Sequence, residues 1–207
     1  MKIKEIKLGE LHPEEFIDEK IKEITAIVGS GSAINALSGG VDSSTVTMLS
    51  HRALGDRLRT YFINNGLMRQ VEPERIVGLF EELGIPVKIV DAQKLFFDAL
   101  KGITDPEAKR EAITQTFYKA VFGQLVKASG AKYLLQGTNY TDVEETVAGI
   151  KRQHNILAQL GIDTKEAFGY TVIEPLIQLR KPAIRAVAHA LGLPEEIYTR
   201  PPFPGPA

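Results

Sequence analysis

Seven consecutive residues near the front of the chain combine glycines, hydroxyls and a carboxylate in an order suited to holding a phosphate. They lie between an apolar run at 33–37 and a helical pattern, and they are Ser38, Gly39, Gly40, Val41, Asp42, Ser43 and Ser44. The two glycines allow positive φ angles and let a ligand approach the main chain. Backbone N–H groups and the positive end of a helix dipole attract an anion. The segment therefore predicts a phosphate or pyrophosphate site, with the hydroxyls of Ser38 and Ser43 as additional donors.

Asp42 gives this turn its second chemical property. It stands where the phosphate loop of Walker type carries a lysine. A carboxylate beside bound phosphates calls for a cation between them, and Mg²⁺ is usually held by few carboxylates together with phosphate oxygens. The turn thus predicts ATP with Mg²⁺, and Asp42 as the metal ligand. The alternative interpretation is a structural junction in which Asp42, Ser43 and Ser44 only cap the helix.

The composition excludes several other kinds of protein. The 207 residues suit one large α/β domain. A net charge of −1 provides no basic field for nucleic acid or for a membrane surface, so neither is an expected partner. Without cysteine, the chain has no disulfides, thiolate zinc sites or cysteine nucleophile. The first residues are charged and no apolar run reaches membrane-spanning length, so the cytoplasm is the expected compartment.

Strand and helix patterns alternate along the chain. The predicted strands are 33–37, 58–63, 86–90, 133–135 and 172–173, and the predicted helices are 14–28, 42–54, 72–83, 106–128 and 182–191. Five short apolar strands between helices predict an α/β fold with a doubly wound, five-stranded parallel sheet and helices on both faces. Such a sheet binds ligands at the carboxyl ends of its strands.

Polar residues and glycines follow four of the predicted strands. They are Ser38 with Gly39, Asn64 with Asn65 and Gly66, Asp91, and Gln136 with Gly137 and Thr138. Their position predicts a site along the carboxyl edge. Turns are rich in these residue types in any protein, which accounts for part of this pattern without a ligand.

Residues 38 to 43 match in full the Ser-Gly-Gly-x-Asp-Ser signature of the ATP pyrophosphatase (PP-loop) family, which the chain resembles. Members of that family cleave ATP between the α and β phosphates, adenylate a carbonyl oxygen and let a nitrogen or sulfur nucleophile displace AMP. The resemblance implies an adenine nucleotide alpha-hydrolase-like fold, ATP and Mg²⁺ as cofactors, and an ATP pyrophosphatase domain spanning residues 1–207.

Further landmarks narrow the resemblance to the pyrophosphatase domain of the GMP synthetases. They are residues 36–44, 53–58, 65–69, 90–92, 102–107 with 109–110, 136–138, 150–151 with 154–155, 173–176 and 203–206. These segments run in the same order along most of the chain. The implied reaction converts xanthosine monophosphate, ATP and ammonia to GMP, AMP and pyrophosphate, as a ligase does.

The resemblance and the chemistry together assign site residues. The expected ATP and pyrophosphate ligands are Ser38, Gly39, Gly40, Val41, Asp42, Ser43, Ser44, Asn64, Gly137, Thr138 and Lys151. The expected catalytic residues are Asp42 and Lys151, the latter matching a lysine that the family carries on a mobile lid. We expect that lid over residues 146–170, where Lys151 supplies a movable charge to the phosphates. The alternative interpretation of Lys151 is a solvated loop lysine.

The chain departs from the family in the lid, where one histidine and a glycine pair are replaced, His154 being the histidine that remains. The resemblance also implies that residues 200–207 begin a C-terminal dimerisation segment, the rest of which is missing here, and hence a homodimer. Because a chain without cysteine cannot supply a glutaminase thiolate, ammonia must come either free or from a separate subunit, and a glutamine amidotransferase subunit is the expected partner. The expected acceptor is a purine nucleotide.

Two other functions stay open on these residues. The chain is expected either to amidate xanthosine monophosphate, or to adenylate a different acceptor with the same ATP chemistry. A third hypothesis, suggested by the altered lid, is a non-catalytic ATP-binding regulatory relative.

Overall fold

The computed structural model describes residues 3–147 and 169–199, which form helices around one sheet. The strands are β1 (Ala33–Ala36), β2 (Leu58–Asn64), β3 (Val87–Asp91), β4 (Tyr133–Leu135) and β5 (Thr171–Ile173). The helices are α1 (Pro13–Val28), α2 (Val41–Leu54), α3 (Glu72–Glu82), α4 (Gln93–Leu100), α5 (Pro106–Gln115), α6 (Gly123–Ser129), α7 (Tyr140–Val147), α8 (Lys181–Ala190) and α9 (Glu195–Tyr198), with a π-helical segment (Thr116–Phe122) between α5 and α6. In these two ranges, no helix has the length and apolar character needed to cross a membrane.

The five strands form one sheet in the order β3-β2-β1-β4-β5, and every neighbouring pair is parallel. Ala33 at the start of β1 lies opposite Leu58 of β2 and Tyr133 of β4. The chain first winds from β1 towards β3 and then returns to place β4 on the other side of β1. The direction of winding therefore reverses between β1 and β4, where parallel sheets open a crevice for ligands. The predicted fold class is confirmed.

Alternation along the strands creates two apolar cores, one on each face of the sheet. Ala33 of β1 and Phe62 of β2 belong to the core covered by α1, α2, α3 and α8. Ile34 of β1 and Tyr61 of β2 belong to the core covered by α4, the π-helical segment and α6. Both faces of the central strands are therefore largely buried, which explains their apolar character, whereas the edge strand β3 is largely exposed.

The predicted elements are confirmed with boundary shifts of about one residue, and three helices within residues 3–147 and 169–199 were missed. These are α4, α7 and α9, of eight, eight and four residues. Helices this short present too few turns for a clear apolar periodicity. The predicted helix at 106–128 is continuous in direction but changes hydrogen-bonding pattern in its middle, where the π-helical segment lies.

We predict that Leu49→Ala destabilises the fold by about 3 kcal/mol, because it leaves a cavity where α2 packs on the sheet. Leu49 is completely buried in the core on that face. Urea unfolding followed by circular dichroism measures the loss. Val71→Ala, at an exposed apolar residue, is the matched control and is expected to change stability by less than about 0.5 kcal/mol. Equal losses in the two variants would contradict this account of the core.

Candidate functional site

The turn between β1 and α2 has the tight geometry that its glycines predict. Gly39 has a φ of +78°, in the region that other residues rarely adopt. Gly40 has a φ of −77° and is the N-cap residue of α2. Of the two glycines, which both allow a positive φ, Gly39 therefore uses that freedom and Gly40 does not. Ser38 and Gly40 are exposed on either side of the buried Gly39.

Two serine hydroxyls hold this turn closed. The Oγ atoms of Ser38 and Ser43 lie 2.9 Å apart. Ser43 Oγ also accepts a hydrogen bond from the Ser38 N–H at 3.2 Å and donates one to the Gly40 carbonyl at 3.1 Å. Ser43 is therefore the residue that fixes the position of the turn relative to the helix.

The capping interpretation of residues 42–44 is wrong. Gly40 is the N-cap residue, and it has no side chain to cap the helix. Asp42 lies inside the first helical turn, while Ser44 is fully buried and its Oγ has no hydrogen-bond partner within the described residues. The structural alternative therefore does not explain why an aspartate occupies position 42.

The start of α2 presents backbone donors. The first bond along the helix runs from the Ser44 N–H to the Gly40 carbonyl at 3.0 Å. The N–H groups of Val41, Asp42 and Ser43 precede it, so they have no acceptor within the helix. They lie at the positive end of the α2 dipole, at the carboxyl end of the central strand. This arrangement favours an anion.

The two carboxylate oxygens of Asp42 differ in their surroundings. Oδ2 accepts a hydrogen bond from Asn139 Nδ2 at 3.3 Å and lies 3.9 Å from Lys181 Nζ. Oδ1 is buried and, among the residues that the structure describes, has no hydrogen-bond partner. Burial raises the pKa of Asp42, and Asp142 adds to this effect, while Lys181 and the Asn139 hydrogen bond lower it in part.

The residues present fit a magnesium ion that arrives with a phosphate. A buried carboxylate oxygen without a partner is costly, and a cation beside it removes the cost. Residues 3–147 and 169–199 contain no cluster of three metal-binding side chains. A cation at Asp42 would thus draw its remaining ligands from phosphate oxygens and water, as Mg²⁺ commonly does.

The turn after β4 packs directly against the start of α2. A Cβ atom placed on Gly137 would lie 3.1 Å from both the Asp42 carbonyl carbon and the Ser43 backbone nitrogen. Thr138 is fully buried, and its hydroxyl donates to Glu174 Oε1 at 2.6 Å. The structure thus brings Gly137 to the phosphate turn and uses Thr138 to join the ends of β4 and β5. Their predicted contact with ATP stays a prediction.

The remaining predicted site residues are not joined to the turn by a described contact. Asn64 accepts a hydrogen bond from the Gly66 N–H at 3.1 Å through its side chain and one from the Ala92 N–H at 2.9 Å through its carbonyl. These bonds tie it to the β3 side of the edge. Lys151 and the other residues at 148–168 of the predicted lid lie outside the described residues, as do residues 200–207, whereas 146–147 form the end of α7.

Sequence reasoning missed Asn139 and Lys181, two described residues whose side chains lie beside the Asp42 carboxylate. A signal for Lys181 was present, because Pro182 marks the start of a helix that follows the last strand. A helix in that position begins at the carboxyl edge. Its neighbour Arg180 is engaged elsewhere, donating to Glu5 at 2.8 Å and to Glu144 at 2.6 Å.

The parallel sheet and the phosphate turn at its switch point define the class as a PP-loop domain with an adenine nucleotide alpha-hydrolase-like fold. The family model described as NAD synthase matches residues 12–205, and the chain belongs to that family. Enzymes of this family use ATP.

Curated relatives confirm the resemblance to GMP synthetases. The chain is 50% identical over 194 residues to a Pyrococcus furiosus protein named as one subunit of a glutamine-hydrolyzing GMP synthase, a match that covers 93% of this chain and 60% of the relative. It is 49% identical over 193 residues to the protein of the same name from Archaeoglobus fulgidus, covering 93% and 61%. The chain thus spans about three fifths of the length of these relatives.

Solved structures support the fold. An NH3-dependent NAD synthetase from Campylobacter jejuni aligns with a TM-score of 0.71 at 17% identity, covering 92% of this chain and 78% of that one. An NMN synthetase from Francisella tularensis aligns with a TM-score of 0.70 at 15% identity, covering 93% and 76%. At these identities the likeness concerns architecture alone.

We predict that Gly137→Ala weakens ATP binding about tenfold or more while the fold is retained, because the new methyl group pushes the backbone at Asp42 and Ser43 out of position. Isothermal titration calorimetry measures the affinity. Gly78→Ala on α3 is the control, since a Cβ there meets nothing within 4 Å. It should leave affinity unchanged and raise stability slightly. Unchanged affinity in the Gly137 variant would refute the role of this close contact.

We predict that Asp42→Asn raises the melting temperature at neutral pH and that the gain disappears in acid. The folded state raises the pKa of Asp42, so it binds this proton more tightly than the unfolded chain. The free energy of unfolding therefore falls as the pH rises from the ordinary aspartate pKa through the raised pKa of the folded state. Asparagine carries no titrating proton, so the variant does not lose this stability. Thermal unfolding of both proteins across pH measures the difference. Asp18→Asn, at an exposed position on α1, is the control. A destabilised Asp42 variant at neutral pH would contradict the prediction.

Proposed function

We propose that this chain is the ATP pyrophosphatase unit of a GMP synthase. It binds ATP with Mg²⁺, transfers the adenylyl group to xanthosine monophosphate and releases pyrophosphate, after which ammonia displaces AMP to give GMP. One observation carries the proposal. Beside the N-terminus of α2 lies a buried Asp42 oxygen, Oδ1, that has no hydrogen-bond partner among the described residues. The name of the relatives at about 50% identity supports the choice of product.

In this proposal the turn binds the departing pyrophosphate. The N–H groups of Val41, Asp42 and Ser43 lie in the first turn of α2, at its N-terminal end. Ser38, which carries a hydroxyl, is exposed beside them. Negative charge grows on the bridging oxygen as the bond between the α and β phosphates breaks. Donors already held in place stabilise that charge without having to reorganise.

Charged side chains complete the proposed phosphate site. Asp42 would hold the magnesium ion, which neutralises charge on the phosphate oxygens. Lys181, whose ammonium group lies 3.9 Å from Asp42 Oδ2, is a second cation within reach of the same phosphates. Its side chain is about half exposed and thus free to turn from the carboxylate to a ligand. We keep Lys151 as a third, movable cation on the predicted lid.

The proposed nitrogen source is ammonia from a separate glutamine amidotransferase subunit. The relatives are named as one subunit of a glutamine-hydrolyzing enzyme, and this chain has no cysteine to serve as a glutaminase nucleophile. A purine nucleotide acceptor, the homodimer and the cytoplasm as compartment belong to the same proposal.

A second candidate function is amidation of a different acceptor with the same ATP chemistry. The family model described as NAD synthase favours it. The two candidates share the phosphate turn and differ only in the acceptor, so they need a substrate panel to separate them. A non-catalytic ATP-binding relative is the third outcome.

The test measures pyrophosphate release by the full chain with ATP and Mg²⁺. We expect sustained release with xanthosine monophosphate and ammonia, and no sustained release when glutamine replaces ammonia in the absence of a partner subunit, because the adenylated intermediate then has no ammonia to react with. Deamido-NAD⁺ and other carboxyl or carbonyl acceptors form the comparison panel. Release with one of these alone would move the assignment to the second candidate. ATP binding without release for any acceptor would support the regulatory relative.

Asp42→Asn should lower that release by about 100-fold or more, the size of effect seen when one preorganised electrostatic contact is removed. Because the same variant is expected to be more stable at neutral pH, unfolding would not explain the loss. Asp18→Asn is the control and should keep full activity. An active Asp42 variant would refute the proposed metal role.

A further inference from the structure

Three polar side chains lie in the apolar core directly beneath the phosphate turn. Thr60 is 3% exposed, and Asn35 and Thr47 are fully buried. Asn35 is on the central strand β1, Thr60 is its register partner on β2, and Thr47 is on α2. Burying an amide and two hydroxyls in such a core is costly unless each finds a partner.

These side chains form one continuous chain of hydrogen bonds. Thr60 Oγ1 donates to Asn35 Oδ1 at 2.8 Å, and Asn35 Nδ2 donates to Thr47 Oγ1 at 2.6 Å. Thr47 Oγ1 in turn donates to the Ser43 carbonyl at 2.8 Å. Every bond runs in the same direction, from the sheet to the first turn of α2. This series of hydrogen bonds therefore ends at Ser43, the residue that also fixes the turn at 38–44.

Ser43 connects this chain to the anion donors. Its carbonyl receives the last bond from below, while its hydroxyl bonds to Ser38 and Gly40 above. Its own N–H is one of the helix N-terminal donors. A shift of Ser43 would thus move both the hydroxyls and the amides of the turn.

Stability does not account for these groups. Apolar side chains of similar size at all three positions would remove the buried polar atoms of these three side chains together. Replacements of this kind commonly leave the free energy of unfolding unchanged or raise it. The neighbouring contacts of α2 with the sheet, through Val46 and Leu49, are apolar and non-directional. They leave the position of the helix along its axis less sharply defined than hydrogen bonds do.

We infer that Thr60, Asn35 and Thr47 are positioning residues that fix the first turn of α2, and with it the phosphate donors, relative to the sheet. They act through Ser43 and do not touch a ligand. This inference rests on the proposed function only in assigning phosphate to the turn. The position of the turn relative to the sheet can be measured whether or not phosphate binds there.

The test uses the triple variant Thr60→Val, Asn35→Leu, Thr47→Val in the full chain. We expect an unchanged or higher melting temperature, faster amide hydrogen exchange in peptides covering 38–47, and an affinity for Mg²⁺–pyrophosphate lowered about tenfold, near the effect of losing one hydrogen bond to a charged group. Exchange is followed by mass spectrometry and affinity by calorimetry. Exchange in β4, outside this hydrogen-bond chain, should not change.

Two further variants separate positioning from helix stability. Thr45→Val removes a buried hydroxyl that donates to the Val41 carbonyl at 2.7 Å on the same helix, outside the hydrogen-bond chain through Asn35. It should leave exchange and affinity as they are. Thr47→Ser keeps the hydroxyl and should behave as the parent chain does. Thr47→Val alone should show faster exchange at 38–47 and a lower affinity for Mg²⁺–pyrophosphate.

Unchanged exchange in the triple variant, or faster exchange with unchanged affinity, would overturn the inference. So would an equal loss in the Thr45 variant. If the parent chain itself does not bind Mg²⁺–pyrophosphate, the proposed function fails, and the exchange measurement still decides whether the hydrogen-bond chain fixes the turn.

Discussion

The site depends on one unfavourable feature, a buried carboxylate oxygen of Asp42 that lacks a partner among the described residues. Burial raises the pKa of this group, so the folded chain by itself bears a cost that a cation would remove. Around it lie hydrogen-bond donors and positive charge: the N-terminus of α2, the Asn139 amide and the Lys181 ammonium group. In the proposed function, this cost to stability is what a metal ion bound together with phosphates would offset.

Two sets of contacts hold this arrangement in place. From the side, Gly137 lets the turn after β4 lie against the backbone at Asp42 and Ser43, where a Cβ atom would force the neighbouring backbone to shift by a few tenths of an ångström. From below, the hydrogen bonds through Asn35 end on the Ser43 carbonyl. A site that binds by backbone amides needs such support, because its donors cannot adjust by rotating a side chain.

Much of the fold was predictable because the apolar strands, the helix patterns and the glycine turns all indicate the same architecture. The turn at 38–44 was predictable for a local reason, since a tight turn between a buried strand and a helix requires glycine and exposes amides. The short helices α4 and α7 were missed, because eight residues give little periodicity. The capping role considered for Asp42 was wrong because the N-cap residue is Gly40, two positions earlier, which places Asp42 inside the first helical turn.

The sequence by itself determined the succession of strands and helices, the phosphate turn and the presence of an aspartate in it. These features follow from local backbone preferences and from apolar periodicity, which act over a few residues. Only the tertiary structure decided that Asn139 and Lys181 meet Asp42, and that Thr60 reaches Ser43 through Asn35 and Thr47. Those contacts join residues from different strands and helices. They depend on register and on the winding of the sheet, which no local pattern specifies.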